Sequence, residues 1–159
     1  TLPDGVTSIG PAAFLSCTAL TSITLPDGIT SIGEDAFYNC TALTSITLPD
    51  SLTSIEALTF YNCTALTSIS LPDGVTSIGE NAFSRCSALT SITLPEGVTS
   101  IGENAFYNCI ELKEISVPYN LDLTNAGLPN HVKIIRRGLG IILKKPTLIQ
   151  KKIHVEPFP

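Results

Sequence analysis

The chain of 159 residues lacks tryptophan and methionine, and only 14% of its residues are charged. It also has no GxxxxGK[ST], GxGxxG or GxSxG sequence, the motifs typical of phosphate loops, dinucleotide-binding folds and serine hydrolases. Its two histidines, His131 and His154, have no sequence neighbours that would complete a catalytic triad or a ligand set. Most Ser, Thr, Asp and Glu residues recur at equivalent positions along the chain, which argues against a unique catalytic site. These absences indicate that the protein is not an enzyme.

Metal sites and membrane spans are also missing from the sequence. There is no CxxC pair and no cluster of histidine and cysteine with the spacing of zinc ligands. The apolar stretch from Leu139 to Leu143 is far shorter than the ~20 residues that cross a bilayer. We therefore expect no cofactor and no bound metal.

Two residue types recur with one strict period of 23 residues. Cysteine occupies positions 17, 40, 63, 86 and 109, and phenylalanine occupies positions 14, 37, 60, 83 and 106. A period of about 20 to 29 residues is typical of solenoids, in which each unit buries its apolar face by stacking on its neighbours. The sequence therefore predicts five stacked turns over residues 1–117, with the phenylalanines as the main core column.

Each unit contains two short extended segments separated by turns. Apolar and polar residues alternate at the end of residues 43–48, as in a strand that is buried on one face. Proline follows this segment in every unit, and because proline cannot donate to a sheet ladder, we expect the strand to stop there. Residues 75–78 form the second extended segment, and residues 79–83 are expected to form one helical or 3₁₀ turn.

The pattern LxxIxLPxxVxxIGxxAFxxC resembles the BspA-type leucine-rich repeat, also called the Treponema pallidum class. The turns that start at Leu2, Leu25, Leu71 and Leu94 match it almost fully. The third turn departs from it, since Glu56 replaces the repeat glycine, and we expect this to disturb the convex side locally. The resemblance implies a repeat solenoid of the α/β-type leucine-rich repeat class, with a parallel sheet on the concave face and short 3₁₀ or irregular segments on the convex face.

The five cysteines predict neither a disulfide nor a metal site. One cysteine per turn places Cβ atoms about 4.8 Å apart with parallel directions, whereas a disulfide needs Cβ atoms about 3.8 Å apart that point together. We interpret each cysteine as a small buried residue with a weak donor for the neighbouring backbone. This use of cysteine gives little information about the cellular compartment.

Charge divides the chain into two parts. Residues 1–117, the predicted solenoid domain, carry twelve acidic side chains against Arg85 and Lys113. Residues 118–159, predicted to be a degenerate repeat and a basic C-terminal cap or tail, carry seven basic side chains against Asp122 and Glu156. The two parts therefore have opposite preferences for charged partners.

The C-terminal part has three interpretations. Residues 128–135 align with the repeat sequence LPDGVTSI, which favours a shortened terminal turn that caps the apolar end of the stack. Alternatively, a basic tail could contact an anionic surface such as lipid or nucleic acid through Lys144, Lys145, Lys151 and Lys152. A disordered tail is the third alternative. Apart from such contact by the tail, the sequence favours neither nucleic acid nor membrane as a partner.

The chain begins in the middle of a turn, without an initiator methionine or a signal peptide. We therefore expect a fragment of a larger protein, whose open first turn predicts end-to-end self-association.

The outward positions of the first extended segment form two ladders of mostly small hydroxyl side chains. They are the candidate binding residues of the concave face: Ser22, Thr24, Ser45, Thr47, Ser68, Ser70, Ser91, Thr93, Glu114 and Ser116. Tight interfaces usually need Tyr, Trp or Arg anchors, so this face predicts weak binding, or binding through rims that carry Tyr38, Tyr61 and Tyr107. Packing of these tyrosines against neighbouring turns is the alternative.

BspA-type proteins are commonly surface or secreted proteins of bacteria and parasitic protists that adhere to host matrix proteins, to other cells or to one another. The resemblance therefore implies a non-catalytic adhesion or protein-interaction module at the cell surface or in secreted form. The alternative is a structural spacer or interaction module within a larger intracellular or effector protein. Ice binding by the regular hydroxyl ladder is disfavoured by the curvature of a solenoid and by the serine content.

Overall fold

The computed structural model describes residues 2–138 as a parallel β-solenoid of about six turns. No helix is present within this range. The strands are short and follow in this order: β1 Ser8–Ile9, β2 Ser22–Thr24, β3 Ser31–Ile32, β4 Ser45–Thr47, β5 Ser54–Ile55, β6 Ser77–Ile78, β7 Ser91–Thr93, β8 Ser100–Ile101, β9 Glu114–Pro118 and β10 Lys133–Arg137. The predicted solenoid is confirmed.

The strands stack in two columns. The concave sheet contains β2, β4, β7, β9 and β10, and the second sheet contains β1, β3, β5, β6 and β8. Pairing is parallel, and partners such as Ser22 and Ser45, or Ser77 and Ser100, lie 23 residues apart. Because this offset equals the repeat length, each strand residue lies beside the residue at the same repeat position in the next turn.

The segment between the second sheet and the cysteine is irregular. The amide of Phe37 donates to the carbonyl of Thr59 in the next turn at 2.9 Å, whereas the amide of Tyr38 closes a local turn onto the carbonyl of Asp35 at 3.0 Å. This alternation recurs in each turn. The expected helical or 3₁₀ turn at residues 79–83 is therefore wrong, because every second amide bonds between turns and not within a helix.

Two residues per turn hold this segment in the left-handed backbone region. One lies two residues before the repeat phenylalanine and the other directly before the cysteine: Ala12, Ser16, Asp35, Asn39, Leu58, Asn62, Asn81, Arg85, Asn104 and Asn108. Asparagine and aspartate tolerate positive φ better than other residues with a side chain. The backbone therefore favours asparagine before cysteine, and two of these asparagines also donate to the equivalent residue of the preceding turn, Asn39 to Ser16 and Asn62 to Asn39.

The phenylalanines form the predicted core column. Their rings stack with centroids 5.1 to 5.6 Å apart and interplanar angles of 4 to 12°. Phe37, Phe60, Phe83 and Phe106 are fully buried. Each ring lies near van der Waals contact with the next, so the column ties successive turns together.

The cysteines are free, and four of them donate to the backbone of the preceding turn. The Sγ of Cys63 donates to the carbonyl of Phe37 at 3.2 Å, and the Sγ of Cys109 donates to the carbonyl of Phe83 at 3.1 Å. Burial raises the pKa of both thiols to about 12. The interpretation of cysteine as a small buried donor is confirmed for these four residues, and each of their thiols bonds to the turn before its own. Cys17 in the first turn is only partly buried.

The second sheet is interrupted at the third turn. A Cβ at Gly33 would lie 2.5 Å from the backbone nitrogen of Pro11, so close stacking requires glycine at this position. Glu56 places a Cβ there, and the pairing between Ile32 and Ile55 is absent, which divides the sheet into β1–β3 and β5–β6–β8. The disturbance expected on the convex side of this turn is therefore present.

The concave sheet is interrupted at the same level. Residues 68–70 are not in a strand, and they separate β2–β4 from β7–β9–β10. Beside the break Ile69 and Leu71 are 8% and 7% exposed, whereas Ile115 and Val117 in the intact part are fully buried. The local irregularity of one turn thus opens the concave face slightly.

The C-terminal turn is shorter than the others. Lys133 pairs with Glu114 at an offset of 19 residues, whereas Ser91 pairs with Glu114 at an offset of 23. The alignment of residues 128–135 with LPDGVTSI is therefore wrong in register, since β10 continues the concave sheet and does not join the second sheet. The division at residues 117 and 118 stays a prediction, and β9 runs across it. The basic tail at residues 139–159 lies outside the described residues.

Candidate functional site on the concave face

The predicted binding residues lie on one face of the solenoid. All of them are exposed except Ser116, which is partly buried. Strands β2, β4, β7 and β9 carry eight of these residues, while Ser68 and Ser70 lie in the interruption between β4 and β7. The structure brings these residues together as two parallel columns, but the columns are not continuous.

Alternation within each strand creates this face. In β4 the outward Ser45 and Thr47 flank the buried Ile46, and the same pattern holds in β7 around Ile92. Sheet pairing places Ser91 beside Glu114 and Thr93 beside Ser116. Strands in a sheet lie about 4.8 Å apart, so the columns present closely spaced short hydroxyl groups on a rigid base.

One edge of the concave face is acidic. The residue after the repeat proline carries an exposed carboxylate in five successive turns: Asp4, Asp27, Asp50, Asp73 and Glu96. Sequence reasoning identified the excess of acidic residues but not this column. The recurrent Pro-Asp-Gly sequence was the available signal, since a fixed repeat position stacks one residue type along one edge.

Two grooves lie where this acidic edge meets the interrupted part of the sheet. The larger has a volume of about 390 Å³, and its lining includes Ser68, Ser70, Leu71, Asp73, Glu96 and Arg137. The smaller, of about 270 Å³, is lined by Ile46, Thr47, Leu48, Asp50, Ser70 and Pro72. The grooves provide depth on a face that is otherwise composed of short side chains.

Basic residues of β10 fold back onto the preceding turns. Arg136 Nη1 donates to the carbonyls of Tyr119 and Leu121, both at 2.8 Å. Arg137 donates to the carbonyl of Leu94, and its Nη2 lies 3.2 Å from Glu96 Oε1. Sequence reasoning missed these contacts, because they depend on the shortened register of the last turn.

The rim tyrosines divide into two groups. The rings of Tyr38 and Tyr61 stack at 4.7 Å, and the guanidinium of Arg85 lies 5.8 Å from the centroid of Tyr61. These contacts fit the packing alternative for the first two tyrosines. Tyr107 is 53% exposed and stays available on the convex side.

Residues 2–138 contain neither a cluster of metal ligands nor a membrane-spanning helix. No group of three or more His, Cys, Asp or Glu side chains in this part of the chain has the arrangement of a metal site. Nor does this part contain a helix long and apolar enough to cross a bilayer.

Similarity to known proteins agrees with the repeat pattern. The profile of the BspA type Leucine rich repeat region matches residues 7–126 as six copies. A leucine-rich repeat protein of Bacteroides ovatus is 34% identical, with a TM-score of 0.65 over 82% of this chain and 43% of its own. The leucine-rich repeat protein of Treponema pallidum is 29% identical, with a TM-score of 0.71 over 97% of this chain and 81% of its own.

A third solved structure, the pneumococcal vaccine antigen PcpA, is 25% identical with a TM-score of 0.70, over 88% of this chain and 36% of its own. The chain thus spans less than half the length of the Bacteroides and pneumococcal proteins. A search of curated proteins gave no match. With the profile covering most of the described solenoid, the chain belongs to the BspA-type leucine-rich repeat family.

Proposed function

We propose that this chain is an adhesion module that binds a host matrix or cell-surface protein through its concave face. The observation that carries this proposal is the pair of largely exposed hydroxyl columns, most of whose residues lie on strands, with the opposite residue buried in β4, β7 and β9. Leucine-rich repeats of this family are generally non-catalytic binding modules. The concave sheet is the broadest regular surface that such a fold offers to a protein partner.

The chemistry of the face favours moderate affinity. Short hydroxyl side chains allow close approach of a partner, and each can donate and accept hydrogen bonds. Among residues 2–138 the candidate binding residues of this face include no aromatic side chain, so the partner must supply the large side chains that dominate most interfaces. A location at the cell surface or outside the cell is part of this proposal, supported by the common occurrence of the family as surface or secreted proteins and by the relative PcpA, a vaccine antigen.

Direct binding tests the proposal. The monomeric chain is immobilised and exposed to a panel of matrix proteins that includes fibronectin and fibrinogen. A concave variant carries Ser45→Lys, Thr47→Lys, Ser91→Lys and Thr93→Lys, and all four sites are exposed. A control variant carries the same added charge at exposed sites in β3 and β8 and directly before them: Thr30→Lys, Ser31→Lys, Thr99→Lys and Ser100→Lys.

The proposal expects at least one panel protein to bind the chain and the control variant, but not the concave variant. An equal loss of binding in both variants would show that the added positive charge causes it, and would contradict a binding site on the concave face. Binding to no protein would favour the alternative of a structural spacer, for which near-identical stacked turns are also suited.

End-to-end self-association stays a prediction for this chain. In the first turn, the core residues Phe14, Leu20 and Ile23 are only partly buried, whereas their equivalents in later turns are buried. Sedimentation velocity over a hundredfold range of concentration checks it: a sedimentation coefficient that rises with concentration is expected. A constant monomer value would contradict the prediction.

A further inference from the structure

The structure shows how the acidic edge of the concave face holds one guanidinium group. Arg137 lies at the end of β10, in register with Pro118, and extends to the turn after β7. There it donates to the carbonyl oxygen of Leu94 and forms an ion pair with Glu96 at 3.2 Å. The binding unit is therefore a backbone carbonyl together with the carboxylate two residues later.

The same unit recurs in earlier turns without an arginine. The equivalent repeat positions are occupied by Leu71 and Asp73 in one turn and by Leu48 and Asp50 in the turn before it. Within residues 2–138, the carbonyls of Leu48 and Leu71 accept no hydrogen bond, and neither aspartate is in an ion pair. The larger groove is lined by Leu71 and Asp73, and the smaller groove is lined by Leu48 and Asp50.

The repeat sequence explains why no arginine of the earlier turns binds these two units. The position in register with Arg137 is Pro118, and every earlier turn also has proline in this column. Proline has no donor to offer. Among residues 2–138, a basic side chain is shown at this edge only in the last turn, where Arg137 pairs with Glu96.

We propose that the two grooves bind arginine side chains of a protein partner, presented by an extended segment that lies across the acidic edge of the concave face. This inference rests on the proposed function, because it names the chemistry by which a protein would be recognised there. Successive turns of a parallel sheet lie about 4.8 Å apart, so one carboxylate per turn concentrates negative charge along the edge, and a partner with several basic residues reduces the repulsion between them.

Arginine fits this unit better than lysine does. The guanidinium is planar and has five donors in a fixed fork, so one side chain bonds a carbonyl and a carboxylate together, as Arg137 does. A lysine ammonium is a strongly hydrated point charge without this geometry. The interaction should therefore discriminate between two peptides of equal charge.

Fluorescence anisotropy with capped eight-residue peptides tests this inference at physiological salt. The probes are an alternating Arg-Ser peptide and its Lys-Ser counterpart, titrated with the full chain. The test variant combines Asp50→Asn with Asp73→Asn. The control combines Glu34→Gln with Glu103→Gln, which removes the same charge from exposed sites outside the concave face.

The chain is expected to prefer the arginine peptide, and the test variant is expected to bind it about tenfold more weakly. The control should change affinity less than about twofold, since only screened long-range charge is removed. Equal affinity for both peptides, or equal loss in the test and control variants, would overturn the inference.

The outcome is separable from that of the proposed function. Loss of arginine preference together with retained concave-face binding of a matrix protein would overturn this inference alone. Arginine-selective binding that depends on Asp50 and Asp73 would support it even if no matrix protein binds.

Discussion

At the residue scale, a left-handed backbone accounts for asparagine before cysteine even where its side chain makes no hydrogen bond. Asn108 is exposed, has a φ of 59° and makes no side-chain hydrogen bond within the described residues. Its recurrence before cysteine could be counted in the sequence, but its cause could not be predicted, because positive φ is a property of the folded turn. Phenylalanine and cysteine were predictable, since burial of an apolar column follows directly from a fixed period.

Replacing Asn108 with alanine tests the backbone explanation. Asn108→Ala should lower the free energy of unfolding by about 1 kcal/mol, because alanine is disfavoured in the left-handed region. Asn108→Gly should lower it less, since glycine adopts positive φ without a steric penalty. Urea denaturation measures both changes, and an equal loss in the two variants would contradict the explanation.

The buried thiols predict how stability depends on pH. Burial raises the pKa of Cys63 and Cys109 to about 12, whereas an unfolded thiol ionises near a pKa of about 8.5. Above about pH 8.5 the unfolded state therefore binds fewer protons than the native state, and stability falls as pH rises towards 12. Each thiol is expected to lower the free energy of unfolding by about 1.4 kcal/mol per pH unit in this window.

Urea denaturation between pH 7 and pH 10 measures this slope. A variant with Cys63→Ala and Cys109→Ala should be less stable at pH 7 but should lose stability less steeply with pH. The same slope in both proteins would show that other groups cause the alkaline loss.

At the element scale, the third turn shows how far sequence reasoning extends. The convex disturbance could be predicted, because Glu56 stands where close stacking requires glycine. The break in the concave sheet at residues 68–70 could not, since the local sequence there is nearly that of the other turns. A shift of one turn is transmitted through the packed core, and its effect on the opposite face depends on the whole stack.

Restoring the repeat glycine should repair the second sheet. In the intact turns the amides of Gly33 and Gly79 donate to the carbonyls of Ile9 and Ile55. Glu56→Gly should form the equivalent bond to Ile32, slow hydrogen exchange at residue 56 and raise stability by about 1 kcal/mol. Glu56→Ala removes the same charge but keeps a Cβ, so it is the matched control. Equal exchange rates in both variants would contradict the steric cause.

At the scale of the whole molecule, the stack ends in β10 and its basic residues. The sequence predicts a shortened basic turn at the end of the stack, whereas the register of β10 depends on a 19-residue offset that no repeat predicts. The acidic column and Arg137 meet only because of that offset. The candidate site was therefore predictable as two hydroxyl columns, while its grooves and its acidic edge became visible only in three dimensions.

Arg136 is expected to hold this last strand in place. Arg136→Gln removes two hydrogen bonds to the carbonyls of Tyr119 and Leu121, so amides of β10 should exchange faster while those of β1 stay unchanged. The expected loss is about 1 to 3 kcal/mol, as for hydrogen bonds from a charged donor. Lys133→Gln is the control at an exposed site of the same strand. Equal effects of the two substitutions would refute a specific role for Arg136.

The central claim is that one face of this stack binds protein and the remainder supports it. The most direct measurement is residue-resolved amide NMR of the chain during titration with a matrix protein fragment that binds it. The account predicts shifts confined to β2, β4, β7, β9 and the interrupted residues 68–70. Shifts confined to the convex side around Tyr38, Tyr61 and Tyr107, with the concave strands unchanged, would contradict it.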